Sequence, residues 1–354
     1  MFDFIFDIQR FANGGGELTN TTTQYVNSYT GATTAFAGQN TLAPEMKTYY
    51  EKELLENARP SMVHAQFGRK QSIPKGRGTS IEWRKVNNLA NATQLVEGVL
   101  PTGQKLGVSY LTDSVAQYGT FVSVSDMLEL TAIDPLILET QTELSASAGR
   151  TQDEITRNDL MTGTNVIYAQ KVVSGALTDV ATRAGLDATA KLTPDTINRA
   201  VTALKKMNAP DINGDYVAII HPSVAYDLRA SAEWLDVHKY AQPDEIFNGE
   251  IGKLHGVRFV ETTQAKIFKG GSGDPSGLAV YATLVLGKEA YGVVDVEGGG
   301  LEMIIHDKSE AGGPLNQFST IGYKLTSNGA KILYEDRMVR IESCSSYSAV
   351  DVAN

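Results

Sequence analysis

Histidine, cysteine, serine elbows and paired carboxylates are the groups that would carry hydrolysis, acyl transfer or metal binding. Their spacing in this chain is unfavourable to all three. The five histidines, His64, His221, His238, His255 and His306, include no pair three or four residues apart, so no helical face presents two imidazoles to a zinc ion. Cys344 is the single cysteine, which excludes an internal disulfide framework and a cysteine-rich metal site. No G-x-S-x-G elbow occurs, so a hydrolase-type nucleophile has no foothold. His221-Pro222 closes an apolar run where a catalytic imidazole could stand, but without a nucleophile nearby a structural turn is favoured. Asp211-Ile-Asn-Gly-Asp215 begins like a calcium loop, yet the twelfth place, which needs a bidentate Glu, is Pro222. Glycine clusters at 14–16, 76–78, 270–273 and 298–300 never follow a strand and open a helix, so they read as surface turns and not as phosphate loops. Carboxylate pairs such as Glu233/Asp236, Asp244/Glu245 and Asp295/Glu297 are expected by chance among 41 acids. No residue constellation points to catalysis, a metal or a cofactor.

Charge is the stronger signal. The chain has a formal charge of −10, which argues against a phosphate backbone as its main partner. Within residues 61–110, however, seven bases (Arg69, Lys70, Lys75, Arg77, Arg84, Lys85 and Lys105) meet only Glu82 and Glu97. The next fifty residues reverse the balance, with Arg150 and Arg157 against nine acids that include Asp134, Glu139, Glu143, Asp153 and Glu154. Three readings compete: a nucleic-acid patch, a solvated face, or a basic element lying on an acidic surface of another copy. Aromatics in the island are few (Phe67, Trp83, Tyr110), which weakens stacking on single strands. On charge alone the solvated face is the default.

The elements that must hold these groups follow from periodicity. A chain of 354 residues, 42% hydrophobic, has material for two or three packed units at roughly 150 residues each. No apolar run approaches the ~18 residues of a membrane span. MFDFIFDIQRFA (1–12) carries Asp3 and Asp7 inside its apolar run and has no preceding basic region, so an amphipathic docking segment is expected in place of a secretory signal. Residues 13–43 are polar and rich in Gly, Thr and Asn, too poor in apolar surface to order themselves. PEMKTYYEKELLENA (44–58) reads as a helix between two prolines. TSIEWRKV (79–86) and LGVSYLTDSVAQYGTFVSVS (106–125) read as strands joined by a long 87–105 loop. Such an arm would need a partner surface, and Arg84 and Lys85 are expected on it, outside either core. Asp134-Pro135 opens a helix running to about Met161, with a thin apolar stripe of Ile137, Leu144, Ala148 and Ile155 and polar remaining faces. From about 190, short helices (192–207, 222–232) alternate with strands (215–221, 256–263, 278–287, 291–296). Strands at 301–307 and within 318–343 close the chain.

This order of elements, an α+β fold, resembles the major capsid proteins of tailed bacteriophages, the Hong Kong-ninety-seven-like fold. Three stretches carry the resemblance: MFDFIFDIQRFA, RPSMVHAQFGRKQSIPKGRGTSIEWRKVNNL (59–89) and GPLNQFSTIGYKLTSNGAKILYEDRMVRIES (313–343). The nearest branch is that of coliphage N-four-type capsid proteins. The resemblance implies an N-terminal arm and short helix at 1–63, an extended β-hairpin loop at 64–126, and a spine helix with the first part of a peripheral domain at 127–190. An axial domain at 191–290 and closing peripheral strands at 291–354 complete it. It implies a structural, non-enzymatic subunit of an icosahedral or prolate head, forming hexamers and pentamers around double-stranded DNA, with no cofactor. A separate scaffolding protein and a portal are the implied partners, assembly is expected in the host cytoplasm, and no scaffold or protease segment is expected to be fused to the chain. Some relatives crosslink through Lys and Asn; Lys85, Lys105, Asn87 and Asn91 have the chemistry, but no crosslink is expected from their presence alone. A nanocompartment shell protein and a soluble hydrolase with an unusual arm stand as alternatives.

Overall fold

A computed structural model describes residues 62–74, 78–86, 89–92, 94, 97, 103–131, 136–231, 234, 252–271, 273–275, 277–296, 301–307, 315–327 and 329–354. The amphipathic start, the polar arm, the 44–58 helix, Lys75, Arg77, Asn87 and Asp134 lie outside these residues.

In chain order the strands begin with β1 (Arg69–Ile73), β2 (Ser80–Val86), β3 (Val108–Ser114) and β4 (Ala116–Ser125). Helices α1 (Asp126–Thr131) and α2 (Leu136–Leu160) follow, then β5 (Val166–Tyr168), β6 (Lys171–Val173) and β7 (Ala176–Thr178). Next come α3 (Pro194–Lys206), β8 (Tyr216–Ile220), α4 (Pro222–Arg229), β9 (Lys253–Leu254), β10 (Val257–Glu261), β11 (Ile267–Phe268) and β12 (Val280–Leu286). The series ends with β13 (Tyr291–Val296), β14 (Leu301–His306), β15 (Phe318–Ser327), β16 (Lys331–Ile332) and β17 (Met338–Ser343).

The chain divides into two compact units. The first contains 117–149 and 299–326. Its sheet has the order β14-β15-β4, with β14 and β15 antiparallel and Met303 opposite Tyr323. One sheet face supplies Met303, Ile321, Tyr323 and Leu325 to a core that Leu144 and Ala148 of α2 complete. Leu144 and Ala148 are the middle of the stripe expected from the sequence, and Ser147 Oγ adds a 3.3 Å hydrogen bond to Tyr323 OH. Gly322 is required where β15 passes β4: an added Cβ would come within 2.8 Å of Phe121 Cβ and 2.9 Å of the Thr120 carbonyl.

The second unit comprises 62–116, 150–298 and 327–354. Its main sheet runs β5-β17-β12-β8-β10-β9, with β11 added beside β12. β8 (YVAII) and β12 (VYATLVL) are buried at every position, as continuous apolar runs become when both sheet faces are covered. Helices α3 and α4 give Ile197, Ala200, Leu204, Val224 and Leu228 to this core. Thr193 caps α3, its side chain accepting from Thr196 N, and Pro194 occupies the first turn. The Asp211–Asp215 segment is the expected turn: Asn213 and Gly214 take φ of 56° and 93°, and Ile212 bridges Asp215. A separate sheet, β1-β13-β16, pairs β1 with β13 in parallel. The strands after residue 291 do not stay together: β14 and β15 belong to the first unit, whereas β17 sits inside the main sheet of the second, between β5 and β12. β17 thereby carries Arg340 and Glu342 into the interior, where Arg183 meets Glu342.

The polar faces expected along the solvent side of α2 are narrower than the sequence suggests. Gln141, Ser145, Asp153, Thr156 and Arg157 are all buried. Helix-local bonds satisfy two of them, Ser145 Oγ donating to Gln141 O at 2.7 Å and Thr156 Oγ1 to Gln152 O at 2.8 Å. Arg157 donates to Gln264 O at 2.8 Å, and burial lowers its pKa against the pull of Glu154 and Asp153.

Candidate assembly surface

β2 and β3 form an antiparallel hairpin with Trp83 opposite Leu111, Arg84 opposite Tyr110 and Val86 opposite Val108. Directly opposed residues share a face, so the two faces can be read from the register. One face turns Ile81 and Trp83 into a core with Ile73, Val294 and Leu333. Gly292 admits the indole, since an added Cβ there would meet Trp83 at 2.6 Å. The base of the hairpin is therefore part of its own fold, contrary to the expectation of an arm outside either core.

The other face has no such cover. Val86, Val108 and Tyr110 are exposed, and beyond them Leu89 and Leu106 also stand in solvent. Sequence reasoning weighed the charges of this segment and missed this apolar row. The signal was present, because β-branched and aromatic residues occupy both phases of the alternation.

The bases divide by environment. Arg69, Lys70, Arg84 and Lys105 are exposed, whereas Lys85 is half-buried. Arg69 lies over the Trp83 ring at 5.9 Å, Arg84 over Tyr110 at 5.7 Å, and Lys85 over Tyr334 at 4.7 Å, all within cation–π range. Lys85 is thus tied to its own chain. Among the acids, Glu143 and Glu154 are exposed on α2. Glu139 lies on α2, and its side chain is outside the described set. Asp153 is turned inward: it is buried and holds the backbone N and Nδ1 of His64 at 2.7 Å each. That commitment removes it from the surface acids expected to meet another copy.

Groups that might do chemistry are placed as structural parts. Nδ1 of His221 accepts from Ser223 N at 3.2 Å and so caps α4. Burial pushes the Cys344 thiol up to about 11, which keeps it protonated and unreactive. A cleft of about 360 Å³ in the second unit is lined by Asp113, Asp159, Thr162, Lys331 and Glu335. Among the described residues no three His, Cys, Asp or Glu converge to hold a metal ion.

The family described as phage capsid protein matches residues 111–329, well over half of the chain. The chain belongs to the phage capsid protein family. The Ralstonia phage GP4 capsid is similar at 15% identity over 82% of this chain and 90% of that one, with a TM-score of 0.62. The Cyanophage P-SCSP1u capsid is similar at 17% identity over 82% and 89%, with a TM-score of 0.59. The acid-stable capsid of Helicobacter pylori bacteriophage KHP30 is similar at 11% identity over 93% and 100%, with a TM-score of 0.58. A comparison with curated proteins returns no match. The fold is that of phage capsids, and membership makes the chain a structural, non-enzymatic subunit of a homo-oligomeric shell in the virion.

Proposed function

We propose that this capsid subunit joins its neighbours through the β2–β3 hairpin, laying the Val86, Val108 and Tyr110 face on another copy while Arg84, Lys70 and Lys105 meet acids such as Glu143 and Glu154. The observation that carries this reading is the hairpin's asymmetry: one face is packed against Ile73 and Val294, and the other leaves three large apolar side chains in water. An isolated two-stranded ribbon is marginal in water, and a neighbouring subunit supplies the missing face. Hexamers and pentamers, with double-stranded DNA inside, are the assembly this serves. A net charge of −10 suits a wall that must not hold packaged DNA tightly. A separate scaffolding protein and a portal are the proposed partners, assembly taking place in the host cytoplasm. Within the family, the resemblance noted in the sequence favours the N-four-type branch.

Negative-stain microscopy of the purified chain, with and without Val86→Asp and Tyr110→Asp, tests the proposal. Wild type should give shells, tubes or capsomers, and the double variant only subunits of unchanged circular dichroism. Equal particle yield from both would rule the hairpin out as the joining surface.

A further inference from the structure

Residues 345–354 run as a strap over the second unit, held there mainly by polar groups. Ser345, Ser348, Asp351 and Asn354 recur at every third position and make many of the attachments. Ser345 Oγ donates to Ser223 O at 2.6 Å. Ser346 N donates to Asp227 Oδ2 of α4 at 2.9 Å, and the Ser346 hydroxyl donates to the other oxygen. Ala279 N donates to Ala349 O at 3.0 Å, and Ile267 N to Asn354 Oδ1 at 2.9 Å. Lys269 Nζ donates to Val350 O at 2.6 Å, and Lys266 Nζ to Asn354 O. Apolar burial adds little. Tyr347, Val350 and Val352 are 70%, 72% and 81% exposed, and no residue from 346 to 354 is buried.

One carboxylate ties the strap to both α4 and β12. Asp351 Oδ2 accepts from Tyr281 OH at 2.6 Å and from Ser223 Oγ at 3.4 Å, while Oδ1 accepts from Ser348 Oγ. Asp351 is the only charged side chain of the strap. A hydrogen bond between neutral groups replaces one to water at little net gain, whereas one to an ionised acceptor is roughly twice as strong. With so little apolar area buried, attachment leans on that charge. The Ser348 and Tyr281 hydroxyls hold the Asp351 carboxyl below the ordinary carboxylate range. Burial, aided by Asp351, pushes the Tyr281 phenol up to about 12, so it remains a donor.

The direction of the pH effect follows. A freed Asp351 returns to an ordinary pKa of about 3.9. Its contribution to attachment is therefore complete above about pH 4 and is lost as pH falls through the lowered value. The other charged or titratable groups around the strap are His221, Asp227, Lys266 and Lys269. His221, whose ring centroid lies 5.0 Å from that of Tyr281, attracts the Asp351 charge once protonated. Its protonation thus holds the strap down, and release waits for the carboxylate.

We propose that the 345–354 strap is an acid-released latch, closed on α4 and β12 while Asp351 is ionised and freed, with the sheet beneath intact, when Asp351 takes up a proton. This device belongs to the single subunit and rests neither on shell assembly nor on the role given to the β2–β3 hairpin. Asp351→Asn keeps the shape of the side chain and removes its charge, so it stands in for the protonated form at neutral pH. Hydrogen exchange of the unassembled full chain, read at the Ser346, Ile267 and Ala279 amides, reports the latch, because each of these donates across the strap contact. At pH 7 all three should exchange at least tenfold faster in Asp351→Asn than in wild type, while the amides of β12 and β17 keep their rates. In wild type the same acceleration, corrected for intrinsic exchange, should appear between pH 5 and pH 3, and the variant should show no such step. Chymotrypsin gives a second measurement: cleavage after Tyr347 at pH 7 should be at least tenfold faster in the variant. Equal exchange and cleavage in the two chains would overturn the proposal. Loss of protection in β12 and β17 together with the strap would overturn it as well, since the strap would then be part of the sheet's own unfolding.

Discussion

Asp153 holds His64 at two points: Oδ1 accepts from the His64 backbone N at 2.7 Å, and Oδ2 lies 2.7 Å from its Nδ1. Both side chains are essentially out of water, at 0% and 1% exposure. The His64 carbonyl in turn accepts from Tyr291 OH, so one helix residue fixes the 62–68 segment between α2 and β13. Burial raises the Tyr291 phenol, keeping it a donor at any ordinary pH.

Removing that carboxylate should destabilise the subunit before assembly. Asp153→Ala strands a buried N–H and a buried imidazole, and breaking a buried pair in this way costs about 3–5 kcal/mol. Asp153→Asn keeps an acceptor for the backbone N–H, and the imidazole can take the tautomer that accepts from the amide, so its loss should be smaller. Urea unfolding of the unassembled chain checks the order wild type, Asn, Ala. Were Asp153 a contact to another copy, all three would unfold at the same midpoint.

Arg84 and Lys85 adjoin in sequence and should separate in behaviour. Arg84 is exposed and lies over the likewise exposed Tyr110 ring at 5.7 Å, farther than Lys85 from Tyr334 at 4.7 Å, so Arg84→Glu should lower the melting temperature of the subunit less than Lys85→Glu does, and weaken assembly. Exposed ion pairs contribute about 0–1 kcal/mol each, but a shell repeats the contact in every copy. The same physics makes wild-type assembly salt-sensitive, because the Debye length falls from about 10 Å at 0.1 M to about 3 Å at 1 M. Lys85→Glu also removes the cation over Tyr334, so the subunit itself should lose about 0.5–1 kcal/mol. Light scattering across salt, paired with thermal melts, separates the two effects. Identical assembly of wild type and Arg84→Glu at every ionic strength would mean the basic segment is only a solvated face.

The local elements were legible in the sequence because their signals are local. Thr193-Pro194 and His221-Pro222 announce helix starts, and the all-apolar YVAII and VYATLVL announce strands covered on both faces. Partner choice was not legible. The pairing of β17 with β12 and β5, and the inward turn of Asp153, depend on residues 50 to 180 positions away, which no window sees. Charge counting placed Asp153 with Glu154 on one surface, but neighbours in a helix point about 100° apart, and here that angle separates a buried acid from an exposed one. The strap at 345–354 escaped for a related reason. Its spacing of three matches neither the strand period nor the helix period.

His221 makes part of the stability pH-dependent. Its Nδ1 can accept from Ser223 N only when unprotonated. Burial lowers its pKa below the ordinary 6.5, opposed by the Asp351 charge. The unfolded chain therefore binds the proton more readily than the folded one, and stability is present above about pH 6.5 and lost as pH falls through the lowered value. The ring is only half-buried, so the loss should sit at the low end of the ~0.5–2 kcal/mol that a helix cap contributes. His221→Asn supplies a cap that does not titrate in this range. Its melting temperature should vary less than that of wild type between pH 7 and pH 5, and equal slopes would show that His221 is not the group responsible.

The ionic cluster around Glu342 gives a sharp test of the second unit. Glu342 is fully buried and receives both Nε and the second terminal nitrogen of Arg183 at 2.7 Å each, with Arg340 Nε at 2.9 Å. Arg183 also reaches Asp274 at 3.1 Å and stacks over Phe268 at 3.6 Å. The two acids hold its guanidinium charge firmly, raising its pKa further. Arg183→Lys keeps the charge but loses the fork that grips both carboxylate oxygens and the flat face that lies on Phe268. It should therefore cost nearly as much as Arg183→Ala, which leaves Glu342 with one cation and should destabilise by about 3–5 kcal/mol. Glu342→Gln with Arg183→Met removes the acid's charge and one base together, and should recover part of that loss. Denaturant unfolding of the four chains orders them as wild type, the double variant, then Lys and Ala close together. A Lys variant as stable as wild type would show that charge alone, without the planar fork, holds this corner of the sheet.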